Sequence, residues 1–197
     1  MTDSSSEIAA CAARWVVEDG LEYGAAKRRA VRQLGLSTRV ALPRNEAIEA
    51  AVIEYLAVYC ADTQPRELRA LRALALTWME RLAQFRPYLG GAVWRGTATK
   101  NSDVYLQLFC DDSKSAELAL IDQKVRYTPR SVTGFTGGTV DALSVHAFCT
   151  ELNQEIGVHL MIYDFDDVRG ALRPDASGRS LRGDASAVRR LLQEVTV

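Results

Sequence analysis

The segment 90–106 carries residue types that phosphate chemistry uses. It contains Gly91, Arg95, Gly96 and the pair Ser102-Asp103. Glycines let a backbone approach a phosphate group closely, because no side chain stands in the way. A carboxylate beside such a turn is a ligand that a divalent cation prefers. The structural alternative is that the glycines form a tight turn between strands and that the aspartate caps the end of a loop.

This spacing resembles the signature of the DNA polymerase β-like nucleotidyltransferase superfamily, in particular its minimal bacterial members. There a strand ends in Gly-Ser, an arginine and a second glycine follow, and the next strand begins Ser-Asp-hydrophobic-Asp. The resemblance implies that Asp103 and Asp141, the latter on a neighbouring strand, are the catalytic residues and bind Mg²⁺. On this interpretation Asp103 and Tyr105 face one way, beside Asp141. The residues implied to contact a nucleoside triphosphate are Gly91, Arg95, Gly96 and Ser102.

Two positions depart from that signature. Ala92 stands in place of a serine, and Tyr105 stands in place of the second carboxylate. Two carboxylates at i and i+2 of a strand point from one face and together hold a pair of divalent ions. Because a neutral phenol is a poor ligand for Mg²⁺, we expect a degenerate site, which binds nucleotide or has weak metal-dependent nucleotidyl transfer. The alternative is a non-catalytic regulatory or protein-interaction module that retains the fold.

The whole chain also resembles a set of proteobacterial proteins of similar length, some of which carry the name UDP-N-acetylmuramate–alanine ligase. Ligases of that kind are far longer and need a Gly-Lys-Thr/Ser phosphate loop. No Gly-Lys pair occurs in this sequence, and the glycine-rich run 134–138 contains no lysine. Ligase activity is therefore not expected.

The predicted secondary structure that must position these residues changes from helices to strands near Pro87. Before it, apolar stripes at helical spacing predict helices, and after it, alternating residues predict strands. The predicted helices cover 6–19, 24–35, 45–60, a segment from 65 to before 87, a segment from about 113 to 122, and 184–194. The predicted strands cover 88–94, 104–109, 125–128, 139–148 and 158–163. This segregation indicates an α+β fold, with a helical region over 1–86 packed on a mixed-sheet, nucleotidyltransferase-like region over 87–197.

Composition fits a folded protein and excludes several classes. Of 197 residues, 48% are hydrophobic, and 24 basic side chains nearly balance 25 acidic ones, so neither disorder nor a dedicated nucleic-acid binder is expected. No apolar stretch is long enough to span a membrane, and 1–7 lacks a secretory signal, so we expect a cytoplasmic protein. The spacing of the four cysteines and two histidines predicts neither a zinc site nor a disulfide framework.

The segment from Lys27 to Arg44 is the most basic part of the chain, with six basic residues and no acid. Such a segment forms either a solvated helix face or a patch that meets phosphate. A protein partner would therefore bind through this patch or through the rest of the helical half. The residues predicted to share the core are Trp78, Met79, Leu82, Val104, Leu106, Leu120 and Val145.

Overall fold

The computed structural model describes residues 4–135, 137–175 and 178–194. It has an α+β fold, with helices in the N-terminal half and a five-stranded mixed sheet in the C-terminal half, which confirms the predicted fold class. The chain divides into two compact units, one formed by 1–68 and 97–102 and the other by 69–96 and 103–197. This division falls inside a helix, whereas the sequence predicted a boundary at Pro87.

Helices form most of the first unit. They are α1 (Ser4–Asp19), α2 (Tyr23–Gln33), α3 (Asn45–Tyr59) and the start of α4 (Gln64–Arg81). The predicted apolar stripes become the core of this unit, where Ile8, Ile48 and Val52 are fully buried. No helix within the described residues has the length and apolar character that a membrane span requires.

The segment 97–102 belongs to the first unit because it completes the end of α1. The last carbonyl groups of a helix have no partner within the helix. The side-chain amide of Asn101 donates hydrogen bonds to the carbonyl oxygens of Val17, at 3.2 Å, and Glu18, at 2.7 Å. A side chain at Gly20 would collide with the Asn101 carbonyl oxygen, 2.2 Å away, so glycine is required at this close approach.

The second unit contains the sheet, whose strand order is β1-β2-β5-β4-β3. Its strands are β1 (Tyr88–Gly90), β2 (Val104–Cys110), β3 (Thr128–Thr133), β4 (Thr139–Cys149) and β5 (Gln154–Asp164). β2 and β5 are parallel, and the other neighbouring pairs are antiparallel. Most of β2 is buried, which explains why it is largely apolar on both faces.

Alternation along β2 turns Val104, Leu106 and Leu108 toward one face of the sheet, where all three are fully buried. Helix α6 (Lys114–Asp122) contributes buried Leu120, as its spacing predicted. A short helix, α7 (Val168–Ala171), follows the sheet, and the last helix, α8 (Ala185–Glu194), begins within a residue of its predicted start. All seven residues predicted to lie in the core are buried: Trp78, Met79, Leu82, Val104, Leu106, Leu120 and Val145.

Two of the predicted strands were wrong. The strand predicted over 88–94 ends at Gly90, because Gly91 has a φ of 68° and begins a short helix, α5 (Gly91–Arg95). The strand predicted over 125–128 lies further on, at Thr128–Thr133. This β3 is an exposed edge strand that contains Pro129, so it lacks the apolar alternation by which strands are recognised.

Candidate functional site

Polar side chains from three strands meet on one face of the sheet. Tyr105 of β2 pairs in register with His159 of β5, which pairs with Ser144 of β4. Residues opposite one another in register project to the same side of a sheet, so these three share a face. Asp103, which directly precedes β2, joins them through a hydrogen bond to His159.

The carboxylate of Asp103 is held at both oxygens. Its Oδ1 accepts a hydrogen bond from the backbone N–H of Gly157 at 3.1 Å, and its Oδ2 lies 3.0 Å from Nε2 of His159. A Cβ atom at Gly157 would lie 2.7 Å from Oδ1, so a larger residue there would displace the carboxylate. The Asp103 side chain keeps 46% of its surface exposed and can meet a ligand.

These contacts favour the charged form of Asp103. The hydrogen bond from His159 is the largest influence, and the N–H of Gly157 adds to it, so the pKa of Asp103 falls below its ordinary value of 3.8 despite partial burial. The site therefore presents an ionised carboxylate at neutral pH.

This lowered pKa predicts how stability depends on pH. Above pH of about 3.8 the stabilisation is fully present, and it is lost as pH falls through the lower pKa of the folded protein, because the unfolded chain binds the proton more readily. Urea denaturation between about pH 5 and about pH 2.5 measures the effect. We expect Asp103→Asn to flatten the acid side of the stability profile, and the exposed Asp141→Asn not to do so. Equal profiles for wild type and Asp103→Asn would contradict the prediction.

His159 also contacts Ser144 and Tyr105. Because a carboxylate only accepts hydrogen bonds, neutral His159 carries its proton on Nε2, and its Nδ1 then accepts from the Ser144 hydroxyl at 2.9 Å. The His159 and Tyr105 rings pack with centroids 4.8 Å apart. These contacts on two sides fix the orientation of the imidazole that holds Asp103.

The hydrogen-bonded series Ser144–His159–Asp103 contains the three residue types of the catalytic triad in serine hydrolases. Ser144 is only 5% exposed, however, so its hydroxyl does not face a substrate. We therefore interpret these hydrogen bonds as contacts that fix the orientation of Asp103.

The glycine turn lies beside this cluster. Gly90 ends β1 opposite Tyr105, and a Cβ on Gly91 would lie 3.5 Å from the Tyr105 ring. Since β1 ends at Gly90, the residue that directly follows the strand is Gly91, whereas Ala92 lies inside α5.

The other residues predicted to contact phosphate lie in different local structures. Arg95 is exposed at the end of α5, and Gly96, with a φ of 87°, terminates that helix. The Ser102 hydroxyl accepts a hydrogen bond from the Thr99 N–H at 3.1 Å and closes a turn in the segment 97–102. The hydroxyl of Ser102 is thus engaged locally.

Asp141 does not join Asp103, which corrects the predicted pairing. Its neighbour Ala142 shares a face with Ser144, so Asp141 projects from the opposite face of the sheet. Ala142 pairs with Met161, four residues along β5 from Gly157, which contacts Asp103. At ~3.3 Å per residue the two aspartates are about 13 Å or more apart along the strands, too far to share ions.

The residues on this face do not fit the predicted Mg²⁺ pair. Asp103 contributes one carboxylate to this face, whereas a pair of divalent ions is held by at least two. Among residues 4–135, 137–175 and 178–194, no three His, Cys, Asp or Glu side chains are grouped to hold a metal ion. The substitution of Tyr105 for a carboxylate is thus not compensated by another acid in the described part of the chain.

The comparison with solved structures found a similar chain. The chain is similar to the Cid1 poly(U) polymerase, in its crystal structure with MgGTP bound, at 15% sequence identity and a TM-score of 0.36. The similarity covers 49% of this chain and 32% of the polymerase chain, about a third of its length. No protein-family model matches the sequence, and no curated protein matches it. The activity of the polymerase is a property of that protein and is not transferred to this chain.

The basic segment from Lys27 to Arg44 is partly engaged within the first unit. Lys27 is buried and donates from Nζ to the side-chain oxygen of Asn45 at 2.7 Å. Arg29 forms an ion pair with Asp19 at 2.8 Å. The exposed basic side chains of the segment are Arg28, Arg32, Arg39 and Arg44.

Sequence reasoning missed His159, Ser144 and Gly157. The available signal was the alternation 157–163, in which Val158, Leu160 and Ile162 face the core and His159 must therefore face the other side. What the sequence did not reveal was that this face also carries Asp103, because the two strands are far apart in the chain.

Proposed function

We propose that this protein is nucleotidyltransferase-like and binds a nucleotide on the face that carries Asp103, without two-metal nucleotidyl transfer. One observation carries the proposal: Gly91 of the glycine turn lies against Tyr105, on the face of the sheet that also carries Asp103. Gly90 lies opposite Tyr105, and the missing side chain of Gly91 leaves that ring uncovered.

The chemistry of this surface suits a nucleotide. The carboxylate of Asp103 accepts hydrogen bonds, so it would bind a ribose hydroxyl or an amino group of the base. The partly exposed ring of Tyr105 offers an aromatic face. The glycines give phosphate oxygens access to backbone N–H groups.

Isothermal titration calorimetry with the four ribonucleoside triphosphates, with and without Mg²⁺, tests the proposal. We expect Asp103→Asn to weaken binding about tenfold or more, since a hydrogen bond to a charged group contributes about 1.5–3 kcal/mol. Asp141→Asn is the matched control, because its carboxylate lies on the opposite face, and it should bind like wild type. Equal affinities in the two variants would contradict the site.

The alternative, a protein-interaction module, is favoured by one feature of the first unit. Helix α3 leaves the apolar side chains of Ile53, Val58 and Tyr59 between 53% and 71% exposed, which is surface that a protein partner would cover. Absence of binding for all four nucleotides would favour this alternative over the nucleotide site.

A further inference from the structure

The segment 181–183 holds an arginine against the sheet. Leu89 of β1 and Gly183 exchange two backbone hydrogen bonds, with N···O distances of 2.8 and 3.0 Å. Trp94 packs directly on Gly183, where a Cβ would lie 2.0 Å from the indole ring, and its Nε1 donates to the Ser180 carbonyl oxygen at 2.8 Å. The backbone of Arg182 is therefore fixed on both sides.

The guanidinium of Arg182 is partly buried without a matching acid. It lies 4.7 Å from the centre of the Phe135 ring, and its Nη1 donates to the Ala171 carbonyl oxygen. Its Nε is buried and has no hydrogen-bond partner within residues 4–135, 137–175 and 178–194. No carboxylate pairs with Arg182 among the described residues, and burial lowers its pKa.

Two other buried polar groups near Arg182 lack a well-formed hydrogen bond to any described residue, and the Tyr163 hydroxyl has only a weak contact with the backbone of Phe135. The Tyr163 hydroxyl belongs to a residue that is 3% exposed, and its ring packs on Phe135 with centroids 4.7 Å apart. Gln107 is 8% exposed, and its Oε1 has no hydrogen-bond partner in the part of the chain that the structure describes. The amide of Gln107 and the Cγ of Arg182 both lie within 4 Å of the position that a Cβ on Gly90 would occupy.

These three groups lie on the face that also carries the proposed nucleotide site. Tyr163 pairs in register with Phe109. Phe109 lies two and four residues along β2 from Gln107 and Tyr105, so all of these side chains project from the same face. Buried polar groups in folded proteins almost always have a partner, so this cluster has hydrogen-bonding capacity for ordered water or for a bound ligand. Two of them are donors, and the Gln107 amide presents its NH₂ group after a half-turn of its terminal torsion.

We propose that Arg182, Tyr163 and Gln107 form an anion site that binds a phosphate group of the nucleotide. This inference rests on the proposed function. A guanidinium fork matches the oxygens of a phosphate group. Arg182 thereby supplies the positive charge that pairs with a phosphate group.

Calorimetric titration with inorganic tripolyphosphate in the presence of a chelator tests the anion site without a base, a ribose or a metal. We expect wild type to bind and Arg182→Gln to bind about tenfold or more weakly, because a charge-assisted hydrogen bond is lost. The matched control is Arg190→Gln, the same change at an exposed position of α8, which should bind like wild type. Tyr163→Phe removes only a hydroxyl and should weaken binding about threefold or more, which keeps the test valid if Arg182→Gln does not fold.

The outcomes separate this inference from the proposed function. Absence of tripolyphosphate binding by wild type, or equal binding by Arg182→Gln and Arg190→Gln, overturns the anion site. Nucleotide binding that depends on Asp103 and not on Arg182 leaves the proposed function intact and overturns the anion site. Tripolyphosphate binding that depends on Arg182, in a protein that binds no nucleotide, supports the anion site and contradicts the proposed function.

Discussion

We expect Leu106→Ala to lower the free energy of unfolding by about 2–5 kcal/mol, as deletions of buried leucine side chains do. Leu106 is fully buried in β2, between Leu89 of β1 and Leu160 of β5, which are also fully buried. Truncation would remove apolar contacts and leave a cavity that the flanking strands cannot close. Urea denaturation monitored by circular dichroism measures the change.

The matched control for this prediction is Leu118→Ala. Leu118 lies in α6 and is 57% exposed, so the same truncation there should cost about 0.5 kcal/mol or less. A loss below about 1 kcal/mol at Leu106 would place its side chain outside the core and would contradict the strand register.

We expect wild type to show little or no Mg²⁺-dependent nucleotidyl transfer, and Tyr105→Asp to raise the affinity for Mg²⁺-nucleotide about tenfold or more. Tyr105 shares a face with Asp103, so a carboxylate there would complete the pair at i and i+2. Calorimetry with Mg²⁺ and a nucleoside triphosphate measures the affinity, and incorporation of labelled nucleotide measures transfer.

Tyr105→Phe is the control, because it keeps the ring that packs on His159 and adds no metal ligand. It should leave Mg²⁺ dependence unchanged. Efficient incorporation by wild type that Asp103→Ala abolishes would show that the single carboxylate suffices and that the site is not degenerate.

The predictable part of the fold was the part with strong periodicity. The helices of the first unit and strand β2 follow their apolar spacing closely, because burial of those side chains decides the structure. The short apolar run 92–94 fits a strand or a helix equally well, and the left-handed backbone at Gly91 decided for the helix. A positive φ at one glycine is not visible in a pattern of hydrophobic residues.

Only the part of the site that lies within a single segment of the sequence was predictable. The glycine turn and Asp103 lie within the segment 90–106, so their spacing could be examined directly. Asp141 was placed by its order in the chain, but register decides which face a strand residue occupies, and a shift of one residue reverses it. The pairing of β2 with β5, which brings His159 to Asp103, is a long-range contact that no local pattern encodes.

That parallel pairing of β2 and β5 also sets the order of events during synthesis. β2 ends at Cys110 and β5 begins at Gln154, so α6, β3 and β4 are made before the partner of β2 exists. Until then β2 has only β1 beside it, and the apolar strand presents an unpaired edge to the chaperones and to other nascent chains. Loop closure on this scale is slow relative to local helix formation. Since Asp103 and His159 lie on opposite sides of that gap, the ligand-binding face is assembled only when the last central strand is in place, so a chain released before β5 has helices but no site.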